Sequence, residues 1–454
     1  MRLGSLLGPD VFEIVRDDPS SLREGLREFH AADVADLLDE MPPEYRLRVL
    51  ENLDETQLGH VLTYGSGGVL KVALTRLDTK KLAAAMDAVE PDDAARLLSF
   101  LSEGRRIPVL QNMSARDAAE ARGLLAHEAG TAGRLMTGKF VRVKPSWTVA
   151  ETLEHLRKTD PEVATVSVLY AVDDRDKLVG VVSLRKLLPA TPTRTIASLM
   201  SHEVVSVTPT TPQDEVARLV AKYGFTAMPV VADGKPLGIV TLDDVVDVLV
   251  QRETEAALRM GGVTAGAEPW ERGTLDYFGT SIFRVVKSRI GWLLLLFVAE
   301  TLTGTVLRHF EDELAKVVAL SFFIPLIIGT GGNAGSQTVS TIIRALALGQ
   351  VRVRDALRVL LRESSSGLIL GLLLCVVAAL RSMLWGTGPK LALVVGITIL
   401  CVCALANVIG ALVPLVAERF KIDPTVVSAP LITTLVDATG LAIYMLVAKV
   451  VLGI

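Results

Sequence analysis

The chain has 454 residues, 50% of them hydrophobic and 22% charged, with a mean hydropathy of +0.43. Its net charge of −4 leaves no electrostatic footprint for a nucleic-acid partner, so none is expected. Its three cysteines, Cys375, Cys401 and Cys403, all lie in apolar runs and form no disulfide framework. High hydropathy and high charge coexist because they are segregated: the first 275 or so residues alternate charge with short apolar runs, and the last 170 or so carry long apolar runs between basic clusters. A soluble region fused to a membrane domain is predicted. The opening MRLGSLLGPDVFEIVRDDPS has no apolar core of signal-peptide length, so no cleaved leader is expected. The six histidines lack metal-ligand spacing and read as surface or packing residues.

Residues 1–130 read as short amphipathic helices. DVADLLDEM (33–41), QLGHVL (57–62), KLAAAMDAV (81–89) and DDAARLLSFL (92–101) place apolar residues three and four apart, and the segments recur about every 12 or 24 residues. An all-α helical-repeat domain follows.

Residues 131–250 contain one pattern twice. LMTGKFVRVKPSWTVAETLEHLRK ends in LVGVVSLRKLL, and LMSHEVVSVTPTTPQDEVARLVAKYGFTAMPVV ends in PLGIVTLDDVVDVL. Each copy runs Leu-Met, strand, Pro, helix, strand, Gly-strand, Ser/Thr and helix, which predicts a paired α/β module. The pair resembles tandem CBS (cystathionine-β-synthase) domains. That resemblance implies a Ser/Thr-x-x-Asp element for a ribose: the second copy has Thr241-Leu-Asp-Asp244, whereas Lys186 takes the acid's place in Ser183-Leu-Arg-Lys186. Adenine-nucleotide binding in the CBS clefts is therefore left open. DDVVDVLVQRETEAALRM (243–260) then predicts a connecting helix, leading with its linker through residues 251–281.

Residues 282–454 form the membrane domain. A span needs about 20 apolar residues. Five are predicted, at 286–307, 317–347, 356–383, 390–416 and 425–452. Arg284, Lys287 and Arg289, then Arg352, Arg354, Arg358 and Arg362, then Arg419 and Lys421 mark one side as cytosolic. The soluble region lies on that side and the C-terminus on the other.

Two features carry chemistry. GTGGNAGSQ in the second span is rich in small residues and holds Asn333 and Gln337. Its poor helix propensity predicts an irregular, water-lined segment, with close helix packing through small residues as the alternative. Asp437 sits within the fifth span beside Thr433, Thr434 and Thr439. A carboxylate at that depth costs roughly 2.5–3.5 kcal/mol on insertion scales and needs a partner. Arg344 and Arg381 lie towards the ends of their spans, which leaves a transported cation as the partner of Asp437, or a protonated structural role. Oxygen ligands suit Mg²⁺ or Ca²⁺. In a dimer, two copies of Asp437 would face one axis. Glu300, in the first span, is a second intramembrane acid that could pair with Thr301 or Thr303 or line the pathway.

The order of these parts, with GTGGNAGSQ and PLITTLVDATGL, resembles the MgtE family of magnesium channels from end to end. The resemblance implies a homodimer in the lipid bilayer of the plasma membrane, with a Mg²⁺ pore between the second and fifth spans. The ion-binding acid falls on Asp437, and the pore-lining positions fall on Gly329, Gly332, Asn333 and Thr433, the last through its backbone carbonyl. Ser336 and Ala429 stand where Asn is familiar in that family. A gate is also implied, closed by cytosolic Mg²⁺ between acidic faces. Its matching acids are Asp92, Asp214, Asp244, Asp247, Glu255 and Asp423, whereas Gly59, Arg96, Gly224, Arg252 and Ala256 occupy positions where acids are expected. Fewer bridging sites imply weaker regulatory Mg²⁺ binding or direct ion pairs from Arg96 or Arg252. A gradient-coupled secondary transporter and a non-conducting magnesium sensor remain alternatives. No P-loop or catalytic constellation occurs, so no enzymatic role is expected.

Overall fold

The computed structural model describes residues 25–159, 165–263 and 281–454. The expectations for the first 24 residues and for the linker at 264–280 lie outside them. The chain divides into two compact units, one drawn from the soluble region and one comprising Thr254–Gly266 and Thr280–Ile454.

The soluble unit begins with helices α1 (Ala31–Glu40), α2 (Pro43–Asn52), α3 (Glu55–Tyr64), α4 (Gly67–Arg76), α5 (Thr79–Asp87), α6 (Pro91–Ser99), α7 (Glu103–Asn112) and α8 (Ala115–Leu125). Their starts at Ala31, Pro43, Glu55, Gly67, Thr79, Pro91, Glu103 and Ala115 recur every 12 residues. Side chains begin several of them: Asp54, Ser66, Asp78 and Ser114 accept from backbone N–H groups of the first turn. Pro43 and Pro91 open α2 and α6, where no N–H donor is needed. Four of them, α1, α2, α4 and α7, stop by burying an apolar residue in extended conformation: Met41, Leu53, Leu77 and Met113 are their C-caps and all are buried. Carbonyls left over at those ends are taken by basic side chains. Arg46 Nε donates to Met41 O (2.7 Å), Lys81 Nζ to Leu53 O (2.9 Å) and Arg105 Nη1 to Thr75 O (2.7 Å). Lys81 and Arg105 are 24 residues apart, two helices, so one staple is used twice. Accordingly α1 packs on α3, α3 on α5, α5 on α7 and α2 on α4.

The duplicated module follows, opened by the short helix α9 (Ala132–Leu135). In the first copy β1 (Phe140–Val143) runs parallel to β2 (Thr165–Val172), which pairs antiparallel with β3 (Leu178–Ser183); α10 (Val149–Lys158) joins β1 to β2, and α11 (Leu184–Leu187) follows β3. In the second, α12 (Gln213–Tyr223) precedes the antiparallel pair β4 (Ala227–Ala232) and β5 (Lys235–Thr241), and Val207 adds a parallel bridge to Val230. The copies exchange their Leu-Met segments: Thr137 bridges Ile239, and Ser201 bridges Val181. This explains the repeated Gly. A Cβ on Gly180 would stand 2.7 Å from Met200 Sδ, and one on Gly238 would stand 2.7 Å from Thr137 O and 2.9 Å from Met136 Cγ. The connecting helix α13 (Leu242–Met260) leaves the second copy.

In the membrane unit the helices are α14 (Ile282–His309), α15 (Glu311–Lys316), α16 (Ile324–Ala347), α17 (Ala356–Leu384), α18 (Pro389–Arg419) and α19 (Ala429–Leu452). Among the described residues, five segments are long and apolar enough to cross a bilayer: Ile282–His309, Val318–Ala347, Val353–Leu384, Pro389–Arg419 and Ala429–Leu452. Helix α18 is the most enclosed and packs on α16, α17 and α19, while α14 packs on α19. Large apolar side chains on α14 and α17, such as Leu294, Phe297, Leu368, Leu370 and Leu373, stay exposed, as a lipid-facing surface requires. Of the cysteines, Cys403 is buried and Cys401 exposed, and all three are free thiols.

One expectation is corrected here. The GTGGNAGSQ segment is a continuous α-helix from Ile324 to Ala347, with no irregular backbone. Its glycines serve approach between helices: a Cβ on Gly331 would stand 2.6 Å from Val402 Cγ1 and 2.7 Å from Val436 Cγ1, and one on Gly335 would stand 2.8 Å from Ile432 Cγ2. Close packing repays poor propensity because a helix in lipid has no water to take its backbone groups. Gly329 has nothing within 4 Å. Gly331→Val is therefore expected to destabilise the detergent-purified protein by about 1–3 kcal/mol, the usual range for overpacking, and Gly329→Ala to leave its melting temperature unchanged. Thermal unfolding followed by tryptophan fluorescence checks both.

Candidate functional site

The N-terminus of α19 is set by Ser428, whose Oγ accepts from Leu431 N (3.4 Å), and by Pro430 in the first turn. Thr433 and Thr434 both donate their hydroxyl protons to Pro430 O, at 2.8 and 3.0 Å. One turn further on stands Asp437, half-buried, with Oδ1 enclosed and without a hydrogen-bond partner among the described residues. Gly332 of α16 faces it: a Cβ there would lie 3.6 Å from Asp437 Oδ1 and 3.1 Å from Thr433 Cγ2. The fold thus brings together Asp437, Thr433 and Gly332. Gly329 and Asn333 lie elsewhere on α16, in an exposed stripe that continues through Gln337, Thr341 and Arg344. Ser336 is half-buried beside that stripe.

Glu300 is exposed on α14 and lies within electrostatic reach of Asp437. Neither neighbouring hydroxyl takes it: Thr301 donates to Val298 O (2.6 Å), and Thr303 Oγ1 is buried without a partner among the described residues. Two acids thus add to one negative potential. Among the described residues no three His, Cys, Asp or Glu side chains converge as a metal cage. One carboxylate with small neighbours suits a cation that keeps much of its water, as Mg²⁺ does.

In the soluble unit, Asp92 at the start of α6 is 8% exposed, and its Oδ1 has no partner among the described residues. Burial, then the charges of Asp244, Asp93 and Glu90, hold its carboxyl well above the usual range. Asp244 accepts from Thr241 Oγ1 (2.5 Å), yet burial pushes it up to about 7. Asp247 is raised by burial, opposed by the charge of Arg96. Asp92, Asp244 and Asp247 therefore share one neighbourhood, joined by Asp93 and Asp243, which sequence reasoning missed although each adjoins a residue it named.

The other three acids are elsewhere and carry arginine partners. Asp214 pairs with Arg252 (3.7 Å). Glu255 and Asp423 both meet Arg259, the former at 3.3 Å. Burial would raise Asp423, but hydrogen bonds from Thr425 and the Arg259 charge outweigh it and hold the carboxyl low. Sequence reasoning also missed Arg259. Its spacing from Glu255 suits a helix pair, but Asp423 is 164 residues away. Gly59, Gly224 and Arg96, three of the non-acidic positions, have local reasons. A Cβ on Gly59 would stand 2.5 Å from Ala85 O, so no acid fits. Gly224 caps α12 with φ +66°, where glycine is favoured. Arg96 bonds Asp93 and Thr63 O, both at 2.9 Å.

Five membrane-spanning helices, a helical-repeat domain and a CBS pair define the class: a membrane protein that carries two further kinds of module before its spans. Family comparisons agree with each part. Residues 324–447 match the divalent cation transporter family MgtE, residues 29–130 the MgtE intracellular N domain, and residues 132–191 and 196–251 the CBS domain. The chain is 37% identical to the magnesium transporter MgtE of Thermus thermophilus over 96% of both chains. It is 30% identical to the magnesium transporter MgtE of Bacillus subtilis over 93% of this chain and 92% of that one. A crystal structure of the cytosolic domain of the Mg²⁺ channel MgtE in complex with ATP aligns with a TM-score of 0.50 and 36% identity, covering 54% of this chain and 99% of that structure. The chain belongs to the MgtE family.

The raised carboxyls of the Asp92 neighbourhood have a stability consequence. The folded state retains protons there that the unfolded chain has released, so stability falls as pH rises from about 4 through about 7. The melting temperature of the full chain is expected to drop between about pH 5 and about pH 8, and to drop less in Asp244→Asn, as read by differential scanning fluorimetry.

Proposed function

We propose that the chain is a homodimeric Mg²⁺ channel of the plasma membrane, with its N-terminal 1–130 and 131–250 modules in the cytosol and residues 282–454 forming the pore. The observation that carries the reading is Asp437: a carboxylate within an apolar helix, one oxygen enclosed and without a partner among the described residues, facing a glycine. An anion in that setting is stabilised by a passing cation. The exposed polar stripe of Gly329, Asn333 and Gln337 adds to it, because such a stripe is costly against lipid and calls for water or a second copy. Transport is passive and driven by the membrane potential.

Cytosolic Mg²⁺ closes the pore in this reading. Asp92, Asp244 and Asp247 are the candidates to hold it, since clustered carboxylates repel and a divalent cation relieves them. Asp214, Glu255 and Asp423 face arginines instead, so part of the closed state rests on direct ion pairs. The relative crystallised with ATP makes an adenine nucleotide a candidate ligand of the CBS pair here. Thr241 and Asp244 offer the acid-bearing element for it, and Lys186 disfavours the other cleft. Glu300 near Asp437 favours a second reading, coupled transport in which the two acids exchange a divalent cation for protons.

Flux of Mg²⁺ into proteoliposomes tests this. Wild type is expected to conduct without a proton gradient, and Asp437→Ala to lose at least about tenfold, the effect of about 1.4 kcal/mol at the ion site. Equal flux in both would make Asp437 structural, and flux that requires a proton gradient would favour the second reading.

A further inference from the structure

We propose that Arg259 and Trp292 together position the N-terminus of α19, joining the end of α13 to the helix that carries Asp437 by means of the chain's own side chains. The proposal rests on the transport reading only for what the positioning achieves. Helix α13 ends in a turn in which Gly262 N donates to Arg259 O (2.8 Å) and Val263 N to Leu258 O (2.9 Å), with Gly262 at φ +72°. Any Cβ on Gly262 would collide with the Trp292 indole, so that turn lies directly on the ring. Trp292 Nε1 donates to Ser428 Oγ (3.0 Å), and Ser428 is the buried N-cap of α19. The Arg259 guanidinium, from the turn before, meets Asp423, whose carboxylate also caps the short Pro424–Val426 turn through Thr425 N (2.9 Å). The same guanidinium meets Glu255 at 3.3 Å.

Two contacts thus join the end of α13 to both ends of the Asp423–Ser428 segment that leads into α19, one relayed through Trp292 of α14 to Ser428 and one direct from Arg259 to Asp423. One is apolar and hydrogen-bonded, and the other is ionic. The ionic contact places a fixed cation between two carboxylates, Glu255 and Asp423, that would otherwise repel each other or draw in a divalent cation. Arginine is fully ionised and forks between two acceptors, so the contact persists when free cation is scarce. Asp423 and Arg259 are 42% and 39% exposed, so salt weakens the pair and its loss shifts the equilibrium about two- to fivefold, the effect of an exposed ion pair.

The test uses the full chain in liposomes with Trp147, Trp270 and Trp385 replaced by Phe, leaving Trp292 as the fluorophore. Acrylamide quenching of Trp292 and Mg²⁺ flux are read on the same vesicles. Arg259→Gln and Ser428→Ala are each expected to raise the quenching constant and the flux at high internal Mg²⁺ about two- to fivefold, with Arg259→Lys keeping most of the wild-type behaviour. Arg259→Gln is also expected to make closure depend more steeply on internal Mg²⁺, because Glu255 and Asp423 then lose the cation they share. Quenching and flux unchanged in Arg259→Gln and Ser428→Ala would overturn the proposal. If wild type carries no Mg²⁺ at all, the transport reading fails, and the quenching shift still decides the positioning.

Discussion

A carboxylate that finds no partner among the described residues of its own chain sets the terms for the membrane unit. Asp437 is held on α19 among apolar helices that meet through Gly331 and Gly335. Without those glycines, α16 could not lie close enough for Gly332 to face the carboxylate with backbone alone. A side chain at Gly332 would crowd Thr433 and Asp437 Oδ1. The helix contact and the proposed ion site are thus one arrangement: the residues that let the helices touch also leave the acid bare. Glu300 lies near enough to add its charge. Among the described residues no donor meets Asp437 Oδ1, and a cation in transit is the partner we propose for it.

The soluble region and its connecting helix handle their acids in two ways. Around Asp92 they are left facing one another, raised by burial and by mutual repulsion. At Asp214 and Glu255, as at Asp423 beyond them, an arginine already sits in place. In the proposed gate, the first kind responds to a divalent cation and the second holds without one. A closed state built on both would be biased by cytosolic Mg²⁺ over a smaller free-energy range than one built on cation bridges alone.

Much of this is legible in the sequence because it is periodic. Helix starts every 12 residues, the duplicated Leu-Met and Gly-strand pattern, and five apolar runs all repeat or persist over many residues. The exchange of Leu-Met segments between copies gives a reason for Gly180 and Gly238 that only the fold supplies. The GTGGNAGSQ segment reads as irregular from propensity and is a helix. Helix propensity counts the cost of each glycine, but it does not count the neighbours that α18 and α19 bring. Asp437 is legible as a lone charge in an apolar run. Its split from Gly329 and Asn333, which lie on an exposed stripe, is not, because a motif in one dimension does not say which residues of a helix turn inward. Arg259 escapes notice for a related reason: its contact with Asp423 is made across 164 residues.

Whether the enclosed oxygen of Asp437 faces a cation decides most of what is proposed for the membrane unit. The direct measurement is a high-resolution cryo-electron microscopy map of the full chain in lipid nanodiscs with Mg²⁺, beside one of Asp437→Asn. The expected result is a dimer with hydrated-ion density between two copies of Asp437 in the first map and none in the second. A wild-type map in which Asp437 Oδ1 is satisfied by a protein donor, with no ion density at that level, would contradict it.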